Sequence, residues 1–527
     1  MLPITPTARS ASDLDPHDPA LGLRLDRASG VPLYRQIADA LWGGVAGGVL
    51  PAGTRLPPER SLAAALGVDR TTVVAAYREL AAAGLIEAHV GRGTTVVGPP
   101  PVAPAAGVAP ARPLAWGQLF AAPTAVEDDP VLAELAVLPD RPDVVSFAAG
   151  VPAPEHYPIA EIRALLDEAL GAGGEGLLQY CPPEGYGPLR EAIAARLAAR
   201  GARVGADRVL VCAGSQQGLY LLARALVEPG DAVAVEAPTY HGALQVFRAV
   251  GARLVPLPAD RDGLDPDRLD DLLGRRTVKL IYVLPTFQNP TGATLALDRR
   301  QRLLAAARRH GVPLVEDDPY GELRYDGTPL PPLLALDPSA GGPVVHLSTF
   351  SKTLFPGFRL GYVVAPPPVI ERLAWVKALV DLDSNPLAQW AVAEYLGRGG
   401  FDAHLARVRR VYPARRDALA AALAREAGDA LTWRLPEGGF YLWARLAGGL
   451  RAREVLAEAI PSGVAFVPGD LFHADGGGRD GMRLAFSGLP PDRLAEGARR
   501  LGVAIAAVAA RRAAARGRAP AAPTRIV

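Results

Sequence analysis

HLSTFSKTLFPGFRLGYVV, residues 346–364, carries the lysine on which the reading of this chain turns. An apolar strand ends at Leu347, small hydroxyl residues follow, then Lys352, then Arg359 seven residues on. Of the 56 basic residues only Lys279, Lys352 and Lys377 are lysines, so each one asks for a reason. Arginine cannot act as an amine nucleophile at neutral pH, whereas lysine can. An amine set among hydroxyls and a guanidinium suits an aldehyde cofactor that carries a phosphate. Lys352 would form the Schiff base, and Thr349, Ser351 and Arg359 would take the phosphate oxygens. Nothing comparable surrounds Lys279 or Lys377.

Working outward, VEDDPYGELRY (315–325) places Asp317 at the end of an apolar strand. Ligands sit at such C-terminal strand edges in open α/β sheets. A fixed carboxylate there can keep a pyridine nitrogen protonated, and Tyr320 can bond a phenolic oxygen of the same ring. VLPTFQNPTGATL (283–295) offers Asn289 to that oxygen, although Asn-Pro-Thr-Gly by itself is also an ordinary turn. VLVCAGSQQGLYLLARAL (209–226) runs from strand through Gly214-Ser215 into a helix, which presents backbone N–H groups and a hydroxyl to an anion.

In the order GSQQGL, APTY, NPTG, DDPY, SK and R, these segments resemble class I/II aminotransferases of fold type I over roughly 360 residues. The resemblance implies pyridoxal 5'-phosphate as cofactor. Lys352 would be its Schiff-base lysine, Ser215 and Gln216 phosphate ligands, and Tyr240 a stacking partner for the pyridine ring. Asn289, Asp317, Tyr320, Thr349, Ser351 and Arg359 would hold the remaining groups. Tyr180, in LQYCPPEGYGPLREAI, would reach the phosphate of a partner subunit, and Arg483, in GMRLAFSG, would bind an amino acid's carboxylate. Relatives often hold the Asn-Pro bond of this motif cis, so Asn289–Pro290 is expected to be cis.

The N-terminal part reads differently. Leu33, Ile37, Leu41 and Val45 recur at helical spacing over 32–47. A second helix follows Leu56-Pro57-Pro58 and stops at Gly67; a third starts on Asp69, an N-cap residue, and buries Val73, Tyr77 and Leu80. LIEAHVGRGTTVV then reads as a two-stranded wing turning at Gly91-Arg92-Gly93. PLYRQIADAL, LPPERSLAAALGVDRTTVVAAYREL and AAGLIEAHVGRGTTV resemble the winged-helix domain of the GntR regulators. The resemblance implies that Arg60, Arg70 and Thr71 contact DNA, with Gly91 and Arg92 at the wing tip. Val74 stands where some members carry a further arginine, and Asp69 brings a negative charge near the groove.

Composition is consistent with both halves. With 527 residues, 49% hydrophobic and 21% charged, the chain is globular and multidomain. A net charge of +1 gives no overall pull toward nucleic acid. The most apolar stretch, 501–510, is too short to span a bilayer, and the N-terminus lacks a signal-peptide pattern. Two cysteines make no disulfide framework, and the eight histidines show no metal-ligand spacing. A cytoplasmic protein with no resident metal and no membrane partner is expected. GGGRDG (476–481) follows no strand and opens no helix, so it reads as a plain loop.

The expected organisation is a disordered stretch 1–24, a winged helix-turn-helix domain 25–98, a Pro/Ala-rich linker 99–142, an α/β fold-type I domain 143–510 with a large three-layer and a small α+β part, and a basic disordered tail 511–527. This combination resembles the MocR subfamily. It implies a regulator that binds operator DNA, senses an amino-compound effector through pyridoxal phosphate and forms a head-to-tail homodimer. A working aminotransferase that carries a DNA-binding domain is the alternative. A sensor of pyridoxal phosphate alone is a third reading.

Overall fold

A computed structural model describes residues 21–89, 93–97, 119, 129–138, 141, 143–171, 174–337, 339 and 341–517. Contacts divide the chain into two units, one up to Ala125 and one from Val126.

In the first unit, helices Leu33–Ala46, Glu59–Leu66 and Arg70–Ala82 bury Ile37, Leu41, Val45, Leu62, Val73, Tyr77 and Leu80 in one core. Gly67, at φ +62°, ends the second helix in the left-handed conformation that glycine adopts without penalty. Asp69 caps the third by accepting from the Thr71 amide at 2.8 Å. The wing pairs Ile86–His89 with Gly93–Val96, and Arg55–Leu56 joins it as a third, antiparallel strand. Two residues are too few to show a strand period, so the sequence showed only two strands. Leu21 packs into this core, so the ordered unit begins before residue 25.

The second unit is built on an eight-stranded sheet. Its order is Val209–Cys212, Gly361–Val364, Val344–Thr349, Leu314–Asp317, Leu280–Val283, Ala232–Ala237, Arg253–Asp260 and Gly263–Leu264. The central strands are buried on both faces, as in a parallel sheet covered by helices. Strands Ala232, Leu280, Leu314 and Val344 are mutually parallel, whereas Gly361–Val364 runs antiparallel to both of its neighbours. A second, antiparallel sheet orders Leu431–Trp433, Tyr441–Leu446, Gly481–Ala485 and Val467–Pro468.

Two further expected boundaries move. Helix Pro130–Val137, capped by Asp129, lies inside the stretch read as linker, and its Leu135 joins the core of the second unit. The Pro/Ala composition around it hid a short apolar helix. At the other end, helix Pro491–Gly517 runs into the segment read as a disordered tail. Arg511 and Arg512 pair with Glu458 and Glu454 there. Alanine and arginine are strong helix formers, so low complexity was a poor guide to disorder. Residues 476–478 form a loop, as expected. No helix among the described residues is long and apolar enough to cross a membrane.

Candidate functional site

Parallel strands deliver their C-terminal ends to one edge of the sheet, and the segments following them carry most of the expected residues there. The chain reaches Ser215 after Cys212, Tyr240 after Ala237, Asn289 after Val283, Tyr320 after Asp317 and Lys352 after Thr349. Gly361–Val364 runs the other way, so its start lies at that same edge and brings Arg359 with it. The register confirms this, since Gly361 faces both Thr349 and Cys212.

Asp317 is buried, and its Oδ2 accepts from the Tyr282 hydroxyl at 2.6 Å. Its Oδ1 is buried with no partner. Burial pushes this carboxyl up to about 7 against the Tyr282 bond, which favours the charged form. Lys352 donates from Nζ to the Gly150 carbonyl at 2.8 Å. Desolvation lowers its amine below the ordinary lysine value, and the Arg483 and Arg359 charges add to the shift.

Above this pair, Tyr320 donates to the Tyr441 hydroxyl at 3.0 Å. The Arg483 guanidinium lies 4.4 Å from the Tyr441 ring centroid and 5.1 Å from that of Phe472. Arg483 is buried; it donates from Nη1 to Asn289 Oδ1 at 3.0 Å and from Nη2 to the Ala148 carbonyl at 2.7 Å, while its Nε has no partner. Burial alone would raise the Tyr441 hydroxyl, but Arg483 and Lys352 pull it below the usual tyrosine value. The Asn289–Pro290 bond is cis, as expected, and so is Ala237–Pro238.

A second group of residues gathers at the start of helix Ser215–Leu226, which has no side-chain cap on its first amides. Arg359 lies so close that a Cβ on Gly214 would stand 2.6 Å from its Nη2. A side chain at Gly214 would push the Arg359 guanidinium aside, and the φ of +83° there is one that L side chains rarely adopt. Arg359 itself holds a left-handed φ of +51°. Thr349 Oγ1 donates to the Leu360 carbonyl at 2.9 Å and accepts from the Ser351 amide at 3.1 Å. Tyr240 donates to Gln216 Oε1 at 3.1 Å, and burial pushes its hydroxyl up to about 12. Tyr180 does not join the site within this chain; it is 78% exposed.

In the N-terminal unit, Arg60 and Thr71 are exposed at the start of the second and third helices. Arg70 pairs with Glu59 at 2.8 Å, and the Thr71 hydroxyl is turned onto Asp69. Asp69 thus spends its charge on the helix cap. Gly91 and Arg92 lie outside the described residues.

Tyr282 and Tyr441 went unnoticed in the sequence because each sits in an apolar strand and looks like core. In the wing, Arg55 lies on the short strand beside Gly93. Its guanidinium leans over Gly93 of the wing, where a Cβ would stand 2.9 Å from Nε.

The second unit is thus an aminotransferase fold, and the first is a winged helix. Residues 142–501 match the family Aminotransferase class I and II, and residues 33–96 match Bacterial regulatory proteins, gntR family. A 2-aminoadipate transaminase from Thermus thermophilus is 40% identical over 395 residues, 75% of this chain and 98% of that protein. The probable rhizopine catabolism regulatory protein MocR of Rhizobium meliloti is 35% identical over 504 residues, 95% of this chain and 99% of that protein. The crystal structure of Pyrococcus horikoshii kynurenine aminotransferase superposes with a TM-score of 0.71 at 36% identity, covering 74% of this chain and 98% of that one. The chain belongs to the class I and II aminotransferase family and, by its GntR-type winged helix, to the MocR-type transcription regulators.

Proposed function

We propose that this regulator holds pyridoxal phosphate in its second unit and uses it to sense an amino compound that carries a carboxylate. The observation that carries the reading is that two of the buried polar atoms left without partners, Asp317 Oδ1 and Arg483 Nε, belong to residues whose charges both act on the Lys352 amine. Buried polar groups are rarely left unpaired unless something else completes them. A ring nitrogen at Asp317 and a ligand carboxylate at Arg483 would complete these two.

The residues present fit the cofactor. Arg359, Ser215 and the first amides of the Ser215 helix would take the phosphate, with Gln216, Thr349 and Ser351 around them. Asp317 would keep a proton on the ring nitrogen, Asn289 and Tyr320 would face the phenolic oxygen, and Tyr240 would cover the ring. When bound, pyridoxal phosphate supplies an aldehyde carbon that takes up a primary amine. Lys352, whose amine desolvation biases toward the neutral form, would be the residue that holds the cofactor by that carbon. Arg483 can exchange its bonds to Asn289 and Ala148 for a bidentate grip on a carboxylate. Tyr180 is assigned to the phosphate of a partner subunit in a head-to-tail dimer.

A ligand changes DNA affinity only if it binds the DNA-competent and incompetent arrangements differently, and couplings of 1–3 kcal/mol, about 5–150-fold, are typical. The test is a gel-shift titration on operator DNA across a panel of amino acids and related amines, with wild type and Arg483→Ala side by side. The expected result is a ligand that shifts wild-type affinity and leaves the variant unmoved. No response to any amine or to pyridoxal phosphate, together with fast steady-state transamination, would reject the regulatory sensor. The 40% identity to a transaminase across 98% of its length supports that second reading, a working aminotransferase.

A further inference from the structure

Asp317 and its sequence neighbour Glu316 are both buried carboxylates on the same strand, and they are treated in opposite ways. Glu316 accepts from the Leu333 amide at 2.6 Å through Oε1, and from the Leu334 amide at 3.1 Å and His346 at 2.9 Å through Oε2. Both of its oxygens are used, as in a structural carboxylate. Asp317 has one donor, the Tyr282 hydroxyl at 2.6 Å, and one bare oxygen.

We infer that Tyr282 is a positioning residue for the cofactor, holding the Asp317 carboxylate by one oxygen so that the other stays free for the ring nitrogen. The inference rests on the pyridoxal phosphate reading above. Tyr282 lies on strand Leu280–Val283, beside the strand of Asp317, and its ring meets Phe247 edge-on at 5.7 Å. That contact fixes the ring, and a phenol has a single proton to give. The hydroxyl is deeply buried and held far above its ordinary ionisation, so it remains a donor. Asp318, His346 and Lys352 act on Asp317 through charge alone. Without the Tyr282 proton, the carboxyl would have two unpaired buried oxygens. It would then turn, or take up a proton itself, and in either case lose the ring nitrogen.

The test measures affinity by visible absorbance for pyridoxal phosphate, and for its analogue with the ring nitrogen replaced by CH. Tyr282→Phe should weaken binding of pyridoxal phosphate about tenfold or more, the range of a lost bond to a charged group. Binding of the analogue should stay within twofold of wild type. In an Asp317→Asn background, adding Tyr282→Phe should change neither affinity. Equal losses for both cofactor forms, or an undiminished loss in the Asp317→Asn background, would make Tyr282 merely structural and overturn the inference. The Asp317→Asn comparison keeps the test decisive if the single variant does not fold. Absence of pyridoxal phosphate binding by wild type would overturn this inference and the cofactor reading together. Wild-type binding with an unaffected Tyr282→Phe would overturn this inference alone.

Discussion

Arg483 donates to Asn289 Oδ1 at 3.0 Å, so one side chain ties the small antiparallel sheet to the turn that follows strand Leu280–Val283. Arg483→Ala would leave the buried Asn289 oxygen without that donor, which costs about 1–3 kcal/mol, and would free the half-buried Ala148 carbonyl at a smaller cost. The expected outcome is a lowered melting temperature, retained cofactor absorbance and no response of operator binding to a carboxylate-bearing amine. Calorimetry and gel shift on the same preparation check it.

Lys352→Arg should remove the visible absorbance of the bound cofactor and leave the fold intact. Arginine keeps the charge but cannot condense with an aldehyde. Circular dichroism establishes the fold and an absorbance scan reads the loss; an unchanged visible band would refute the role of Lys352.

The Glu59–Arg70 pair holds back a cation at the start of the third helix. Arg60→Ala and Arg70→Ala should each weaken operator binding by about 1–3 kcal/mol if the residue makes a bidentate base contact. Glu59→Gln should act in the opposite sense, tightening binding by about 0.2–1 kcal/mol, the worth of an exposed pair. None of the three changes should alter the cofactor spectrum. Affinity that survives both arginine substitutions would mean that these helices do not read the operator.

Glu236 is buried, accepts from the Leu284 amide at 2.8 Å, and desolvation pushes it up to about 8. Its folded form therefore holds a proton that the unfolded chain releases near its ordinary value of 4.5. Between those limits the folded state binds more protons, so stability falls as pH rises. Glu236→Gln should flatten that fall in the cofactor-free protein, as read by urea denaturation from pH 5 to 8. Parallel curves for the two proteins would show that Glu236 is already charged.

Much of the site was legible because many of the expected residues end a strand, follow one closely or start a helix, and such positions carry local signatures. Gly214-Ser215, Asn289-Pro290 and Asp317 announce themselves in this way. Tyr282 and Tyr441 do not, because inside a buried strand a tyrosine reads as core until the register of neighbouring strands is known. The Arg70–Glu59 pair escaped for a similar reason: the partners lie 11 residues apart on different helices, beyond any helical period. Helix Pro130–Val137 and the end of helix Pro491–Gly517 were lost to composition, where proline and repeated alanine outweighed a weak apolar pattern.

The reversed strand Gly361–Val364 holds two of the site's basic side chains in one frame. Lys352 and Arg359 share one short connection, closed at its base where Thr349 faces Gly361. Their spacing is set by the hairpin and would stay constant through any shift of the small sheet. Arg483 rides on that other sheet. The site is thus built like a vise, with one jaw cast into the large sheet and the other, on the small sheet, latched to it by the bond from Arg483 to Asn289. A group that drew Arg483 off Asn289 would open that latch and leave the spacing of Lys352 and Arg359 as it was.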